Sequence, residues 1–267
     1  MMGERNVAIV TGASSGIGAA TAAELAKRGY AVVLAARRVE RLEEVAARCR
    51  SLGGEPLVVP TDVAKMDQVE ALVNKTMDAF GRIDVMVNNA GYGLFSRIHE
   101  TADQDMRAIF DVNYHGLFYG CKFVAPIMIR QRRGHIFNVS SVIGKRGAPF
   151  HGAYSATKFA VAGLTDALRV EMKPYHVRVT CVCPATTDTE FFVASPRARE
   201  AGSSWVRFRP KTPPEVVARK IVRAIGKGRP EIVVTAGGKF LVILSALWPR
   251  AADAVMKLYH DDLARRL

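Results

Sequence analysis

Short β-branched apolar runs alternate along this chain with amphipathic stretches of helical period, and that alternation limits what it can fold into more than any other feature. The runs VAIV, AVVLAA, LVV, IDVMVN, HIFNVS and VRVTCVC are separated by Ala19–Arg28, Val39–Ser51, Met66–Phe80, Gln104–Gln131 and Ala153–Lys173. Runs that are apolar throughout belong in strands covered on both faces, and the helices between them return the chain so that successive strands lie parallel. The predicted class is α/β with a doubly wound parallel sheet, in which ligands bind beyond the carboxyl ends of the strands. The 267 residues, 49% of them apolar, suffice for one large core, and no linker-like tract, repeat or low-complexity segment divides them. A single domain over residues 1–267 is expected.

Beyond Pro184 the alternation stops. Ala185–Pro214 is irregular, with Phe191, Phe192, Trp205 and Phe208 set among Arg197, Arg199, Arg207, Arg209 and Lys211. Such a long stretch in a compact domain is either a functional covering or disordered. A helix from about Pro214 to Ile225 stops near Gly226, EIVV forms a last strand, and residues from about 237 to 267 read as a helical extension. Within it, FLVILSALW at Phe240–Trp248 carries no charge, but a bilayer span needs ~20 such residues. The preferred reading is that it packs over the cleft or a subunit surface. The alternative is peripheral membrane contact through 240–248, with Lys239, Arg250 and Lys257 near anionic head groups.

The polar start MMGERN lacks a basic leader followed by a long apolar region, so a cytoplasmic location is expected, with membrane association as the alternative. Cys49, Cys121, Cys181 and Cys183 show no zinc-like spacing; Cys181 and Cys183 alternate within a strand and are expected to be buried and reduced, and no metal is expected. The net charge of +13 favours anionic partners, but the arginine-rich pieces lie in separate segments and no nucleic-acid module is present, so a solvated basic face is expected and no nucleic-acid partner.

The chemistry concentrates in a few motifs. Tyr154 and Lys158 in YSATK, at helical i, i+4 spacing, share one face, and a positive charge beside a phenol favours the phenolate. Ser141 lies thirteen residues upstream, and TGASSGIG at Thr11–Gly18 opens the chain. Its glycines, Gly12, Gly16 and Gly18, permit a tight turn and let backbone N–H groups at a helix N-terminus approach a pyrophosphate. With NNAG at Asn88–Gly91, Asn113 and NVSS at Asn138–Ser141, in that order and spacing, the region from about Asn6 to Thr189 resembles the short-chain dehydrogenase/reductase family.

That resemblance implies a Rossmann-type domain, an enzyme that uses NAD(P) to oxidise or reduce CH–OH groups, and a tetrad of Asn113, Ser141, Tyr154 and Lys158. Tyr154 would be the acid/base, Ser141 an oxyanion donor, Lys158 the group that tunes the phenol and bridges the cofactor ribose, and Asn113 the site of a helix break that holds a proton-relaying water. Ser140 is the rival hydroxyl, but strand alternation separates the two and the family's spacing to the tyrosine selects Ser141. His151 reads as a partly exposed loop residue.

The cofactor would be bound by Gly12, Ser14, Ser15, Gly16, Ile17, Gly18, Arg37, Arg38, Asp62, Val63, Asn89, Ala90, Gly91, Tyr154, Lys158, Pro184 and Thr189. Asn88 reads as structural. Ala36 stands where an acid would bind the NAD ribose, and Arg37 and Arg38 follow, which favours NADP (NADPH) over NAD; Arg38 alone reads equally well as surface charge. Ala185 departs from the family's usual proline–glycine and removes backbone freedom where the nicotinamide amide is held. The resemblance makes 185–214 the substrate lid, and pairing through the long helices implies a homodimer or homotetramer.

Aromatic residues after NNAG and in the lid suggest an apolar pocket. The expected function is an NADP-dependent oxidoreductase acting on a small hydrophobic alcohol or ketone. A 3-oxoacyl-[acyl-carrier-protein] reductase is the enzymatic alternative, and a non-catalytic NADP-sensing binding protein is the alternative of another class, disfavoured by the intact Tyr154 and Lys158.

Overall fold

The computed structural model describes residues 5–188, 191 and 211–265. Seven parallel strands form one sheet in the order β3-β2-β1-β4-β5-β6-β7. They are β1 (Val7–Thr11), β2 (Ala31–Ala36), β3 (Glu55–Pro60), β4 (Val85–Asn88), β5 (Gly134–Val139), β6 (Val177–Cys183) and β7 (Glu231–Val233). The helices between them are α1 (Gly16–Ala26), α2 (Val39–Ser51), α3 (Met66–Phe80), α4 (Asp103–Phe110), α5 (Gly116–Gln131), α6 (Gly152–Met172) and α7 (Pro214–Ala224). After β7 come α8 (Ala236–Leu247) and α9 (Pro249–Ala264).

Strand alternation assigns the two faces. Ala8, Val10, Val32 and Leu34 pack with α1, α2 and α7 through Leu25, Leu42 and Ile221. Val7, Ile9, Val33 and Met86 pack with α3, α5 and α6 through Leu72, Val124 and Val161. Both faces are therefore dry, which is why these strands read as continuous apolar runs. Strand order reverses between β1 and β4, so their carboxyl ends diverge and leave a crevice there.

The stretch Gln104–Gln131 is not one regular helix. α4 and α5 are joined by a π-helical turn at Asp111–His115 that carries Asn113, the break expected at that residue. The ends of the irregular segment meet: Asp188 N–H donates to Thr212 O and Thr212 N–H to Thr186 O. Phe192, Trp205, Phe208 and the arginines of the expected lid lie outside the described residues. Among the described residues no helix is long and apolar enough to cross a membrane.

The opposite edge of the sheet is fixed by Asp84, which precedes β4. Its Oδ2 accepts from Val7 N–H and from Arg82 Nε, both at 2.9 Å, and its Oδ1 pairs with Arg82 and Arg133. Its side chain is only 6% exposed. Replacing Asp84 by alanine leaves a buried N–H and a guanidinium without their acceptor, and urea unfolding should show a loss of about 3 kcal/mol.

Candidate active site

At the carboxyl edge the glycine loop is built against the turn that follows β4. Thr11 Oγ1 accepts from Asn89 N–H (3.0 Å) and Ala90 N–H (3.1 Å), and Asn89 Nδ2 donates to Thr11 O at 2.9 Å. Gly12 has φ +65, and a Cβ there would lie 2.9 Å from Ala90 Cα. A Cβ on Gly18 would lie 2.2 Å from Gly12 O, so the helix can start this close to the loop only with glycine. No side chain caps α1 at Ser15, and its first turn holds no acid, leaving N–H groups directed at the cleft.

Arg38 donates to Ser15 Oγ (2.9 Å) and Ser14 Oγ (3.3 Å), so this guanidinium is drawn across to the glycine loop. Arg38 nevertheless stays exposed at the rim of the cleft. Ala36, Arg37, Asp62 and Val63 line the same cleft, as do Gly16, Ile17, Asn89, Ala90 and Gly91. Asp62 Oδ1 accepts from Ala64 N–H at 3.1 Å, which sets the turn after β3. Asn88 is structural: its Nδ2 donates to Asn138 Oδ1 at 2.9 Å, and Asn138 passes the chain on to Thr165 on α6. Thr189 lies outside the described residues, while Pro184 and Ala185 line the cleft.

Ser141, Tyr154 and Lys158 meet beyond β5, and Asn113 stands behind Gly91. Tyr154 and Lys158 are one turn apart on α6, with Lys158 Nζ 5.8 Å from the tyrosine ring centroid. Lys158 Nζ donates to Val139 O at 2.9 Å. Asn113 is fully buried; its Oδ1 accepts from Tyr92 N–H and its Nδ2 donates to Tyr92 O, both at 2.9 Å, with Thr157 Oγ1 at 3.2 Å. The two hydroxyls separate cleanly. Ser140 Oγ is committed to Lys158 O at 2.8 Å, whereas Ser141 shares a side-chain hydrogen bond with Tyr154 and reaches Pro184 O at 3.3 Å.

The electrostatics differ from the sequence expectation in one respect. Burial dominates Tyr154 and pushes its phenol well above the usual range, against a lowering by the Ser141 hydrogen bond. Lys158 is itself pushed down to about 8 by burial, so it stays mostly protonated at neutral pH but releases its proton well below the range of an ordinary lysine.

Two features were not foreseen. His151 is buried rather than partly exposed, because α9 returns over it: His151 Nε2 and Tyr259 Oη are 3.1 Å apart, and Phe150 stacks on His260. Arg146 also pairs with Asp253 of α9. The cleft, about 1470 Å³, therefore has an apolar wall from the extension, with Leu241, Met256, Tyr259 and Leu263 in its lining, and Phe191 edge-on to Tyr154 at 5.4 Å. The second feature is that Glu231, distant in sequence from any motif, lies with Cys181 and Cys183 in one cluster. Chain pairing across β6 and β7 brings them together, and spacing alone carried no signal of it.

Residues 6–200 match the sequence profile described as short chain dehydrogenase. The chain is 35% identical over 263 residues to 11-beta-hydroxysteroid dehydrogenase A of Sesamum indicum, covering 95% of this chain and 75% of that one. It is 40% identical over 194 residues to 3-oxoacyl-[acyl-carrier-protein] reductase of Synechocystis, covering 71% and 78%. A crystal structure of a short chain dehydrogenase/reductase from Burkholderia phymatum in complex with NAD superposes with a TM-score of 0.85 at 30% identity, over 91% of this chain and 93% of that one. The chain belongs to the short-chain dehydrogenase/reductase family. It is an NAD(P)-dependent oxidoreductase with a Rossmann-type nucleotide-binding fold.

Lys158 gives a measurable signature. Between its folded value of about 8 and the ordinary 10.5, the unfolded chain binds the proton that the folded chain has released, so Lys158 contributes a stability that rises with pH across this window. Thermal unfolding of the wild type should therefore gain on that of Lys158→Met as pH rises from about 8 towards 10.5.

Proposed function

We propose that this enzyme transfers hydride between NADP and a hydrophobic alcohol or ketone, with Tyr154 as the acid/base. The observation that carries this reading is that one cleft joins Arg37, Arg38 and the open N-terminus of α1 at one end to Ser141 and Tyr154 under an apolar wall at the other. Two arginines and no carboxylate at the end of β2 suit a 2′-phosphate and leave the ribose hydroxyls of NAD without their usual acceptor. The bound nicotinamide supplies the hydride. Gly12, Ser14, Ser15, Gly16, Ile17 and Gly18 would hold the pyrophosphate, and Asp62, Val63, Asn89, Ala90, Gly91, Pro184 and Thr189 would hold the remainder of the cofactor.

In the reduction direction, Tyr154 Oη gives its proton to the carbonyl oxygen as negative charge develops there, and the Ser141 hydroxyl donates a second hydrogen bond to that oxygen. A phenol raised by burial holds its proton until the substrate oxygen becomes the stronger base. Lys158, kept beside the phenol by Val139 O, stabilises the phenolate left behind, and Asn113 fixes the π-helical turn and Tyr92 around it. Helices α8 and α9, with a lid at 185–214, would exclude water from the substrate, and the apolar lining would select lipophilic carbonyls.

The Synechocystis reductase favours a second reading, an acyl substrate delivered by an acidic carrier protein to the basic surface. Assembly as a homodimer or homotetramer would cover Phe118 on α5 and Phe159 and Val170 on α6, all exposed in the single chain. Peripheral membrane contact through 240–248 would use the outward side of α8, where Ile243, Leu247 and Trp248 are exposed.

Three measurements follow. Tyr154→Phe should lower kcat by at least ~10²-fold with cofactor affinity nearly unchanged; wild-type turnover in it would overturn the acid/base role. NADPH should bind more tightly than NADH, and Arg37→Ala should weaken NADPH about tenfold while leaving NADH unaffected; equal affinities in the wild type would remove the NADP assignment. Turnover of lipophilic ketones should exceed that of carrier-bound 3-oxoacyl chains, and the reverse order would select the second reading.

A further inference from the structure

β7 is a three-residue edge strand, and α8 and α9, which wall the substrate cleft, hang from its end. Its first residue, Glu231, is the register partner of Cys181 on β6. Cys181 and Cys183 are two apart along β6, so their side chains leave the same face, and their Sγ atoms are 3.7 Å apart. A carboxylate oxygen of Glu231 completes a group of three ligand atoms that all lie within 4.8 Å of one another. In a tetrahedral zinc site with Zn–S bonds of about 2.3 Å, the two sulfurs stand about 3.8 Å apart. The thiol pair already has that spacing.

From this geometry we infer that Cys181, Cys183 and Glu231 form a binding site for a borderline-soft divalent cation of the zinc type, which staples the edge strand β7 to β6. The donor set, two sulfurs and one carboxylate oxygen, suits zinc and excludes magnesium and calcium, which take oxygen ligands. Binding releases the two thiol protons to solvent, each sulfur then donates an electron pair to the cation, and the fourth position is left to water.

The site also has a gate. Lys145 forms an ion pair with Glu231, and these two side chains are 24% and 28% exposed, whereas both cysteines are buried. The ammonium occupies the carboxylate that the metal needs, so the cation enters by displacing Lys145 towards solvent. Lys145 is accordingly a competitor for the site and not a ligand.

Cobalt(II) titration of the full-length protein under reducing conditions tests this directly, because cobalt–thiolate bonds produce a near-ultraviolet charge-transfer band. One equivalent per chain should generate the band, and Cys181→Ala or Cys183→Ala should abolish it. Glu231→Gln should weaken binding by at least ~10-fold, since even the outer partners of a metal ligand cost about that much. Lys145→Ala should tighten it. Zinc should raise the unfolding temperature of the wild type and not that of the cysteine variants.

A band that survives in both cysteine variants, or no band at stoichiometric metal, overturns the site. Unchanged affinity in Lys145→Ala overturns the gate. Glu231 and Lys145 are partly exposed, so those two variants keep the test decisive should a cysteine variant fail to fold. None of these readouts depends on turnover, so they stand or fall apart from the proposed hydride chemistry.

Discussion

The hydroxyl of Thr11 governs the working edge of this molecule. β1 and β4 are neighbours up to that point, and their chains then part to opposite sides of the sheet. Thr11 Oγ1 holds the parting chains at a fixed separation by accepting two N–H groups from the turn after β4, while Asn89 returns a bond to the Thr11 carbonyl. The glycine loop is pressed on that turn so closely that side chains at Gly12 or Gly18 would collide with it. The open helix terminus and the arginines beyond β2 lie next to this junction, because Ala35 is the register partner of Thr11 and α1 starts five residues on.

Much of this was legible in the sequence because the relevant signals are local. Apolar runs report strands buried on both faces, and the Tyr154–Lys158 spacing reports one face of a helix whatever surrounds it. Ser141 could be preferred to Ser140 from alternation and family spacing, and the structure gives the physical reason for the contrast: Ser140 is bonded to the backbone of α6. The polarity of the site was less legible. Charge proximity in the sequence suggested a lowered phenol, but burial, a property of the whole fold, outweighs it at Tyr154 and depresses Lys158 instead.

The least legible parts are those made by the returning C-terminus. His151 reads as a loop histidine until Tyr259, more than a hundred residues later, reaches it. Glu231 reads as the polar start of a strand until register sets it beside Cys181. Both depend on which elements become neighbours at the β7 edge, and neither composition nor periodicity encodes that adjacency. Residues of the extension line the cleft in the single chain, while the outward side of α8 stays exposed.

The paired bonds between Thr186, Asp188 and Thr212 tie together the two feet of the segment between them. The free energy of closing a connection grows only with the logarithm of its length, about 0.6 kcal/mol for each doubling. Because its feet are clamped to each other, residues gained or lost within 189–211 need not be transmitted to β6 or α7. The connection can therefore change in length while the strand and the helix that it joins keep their places.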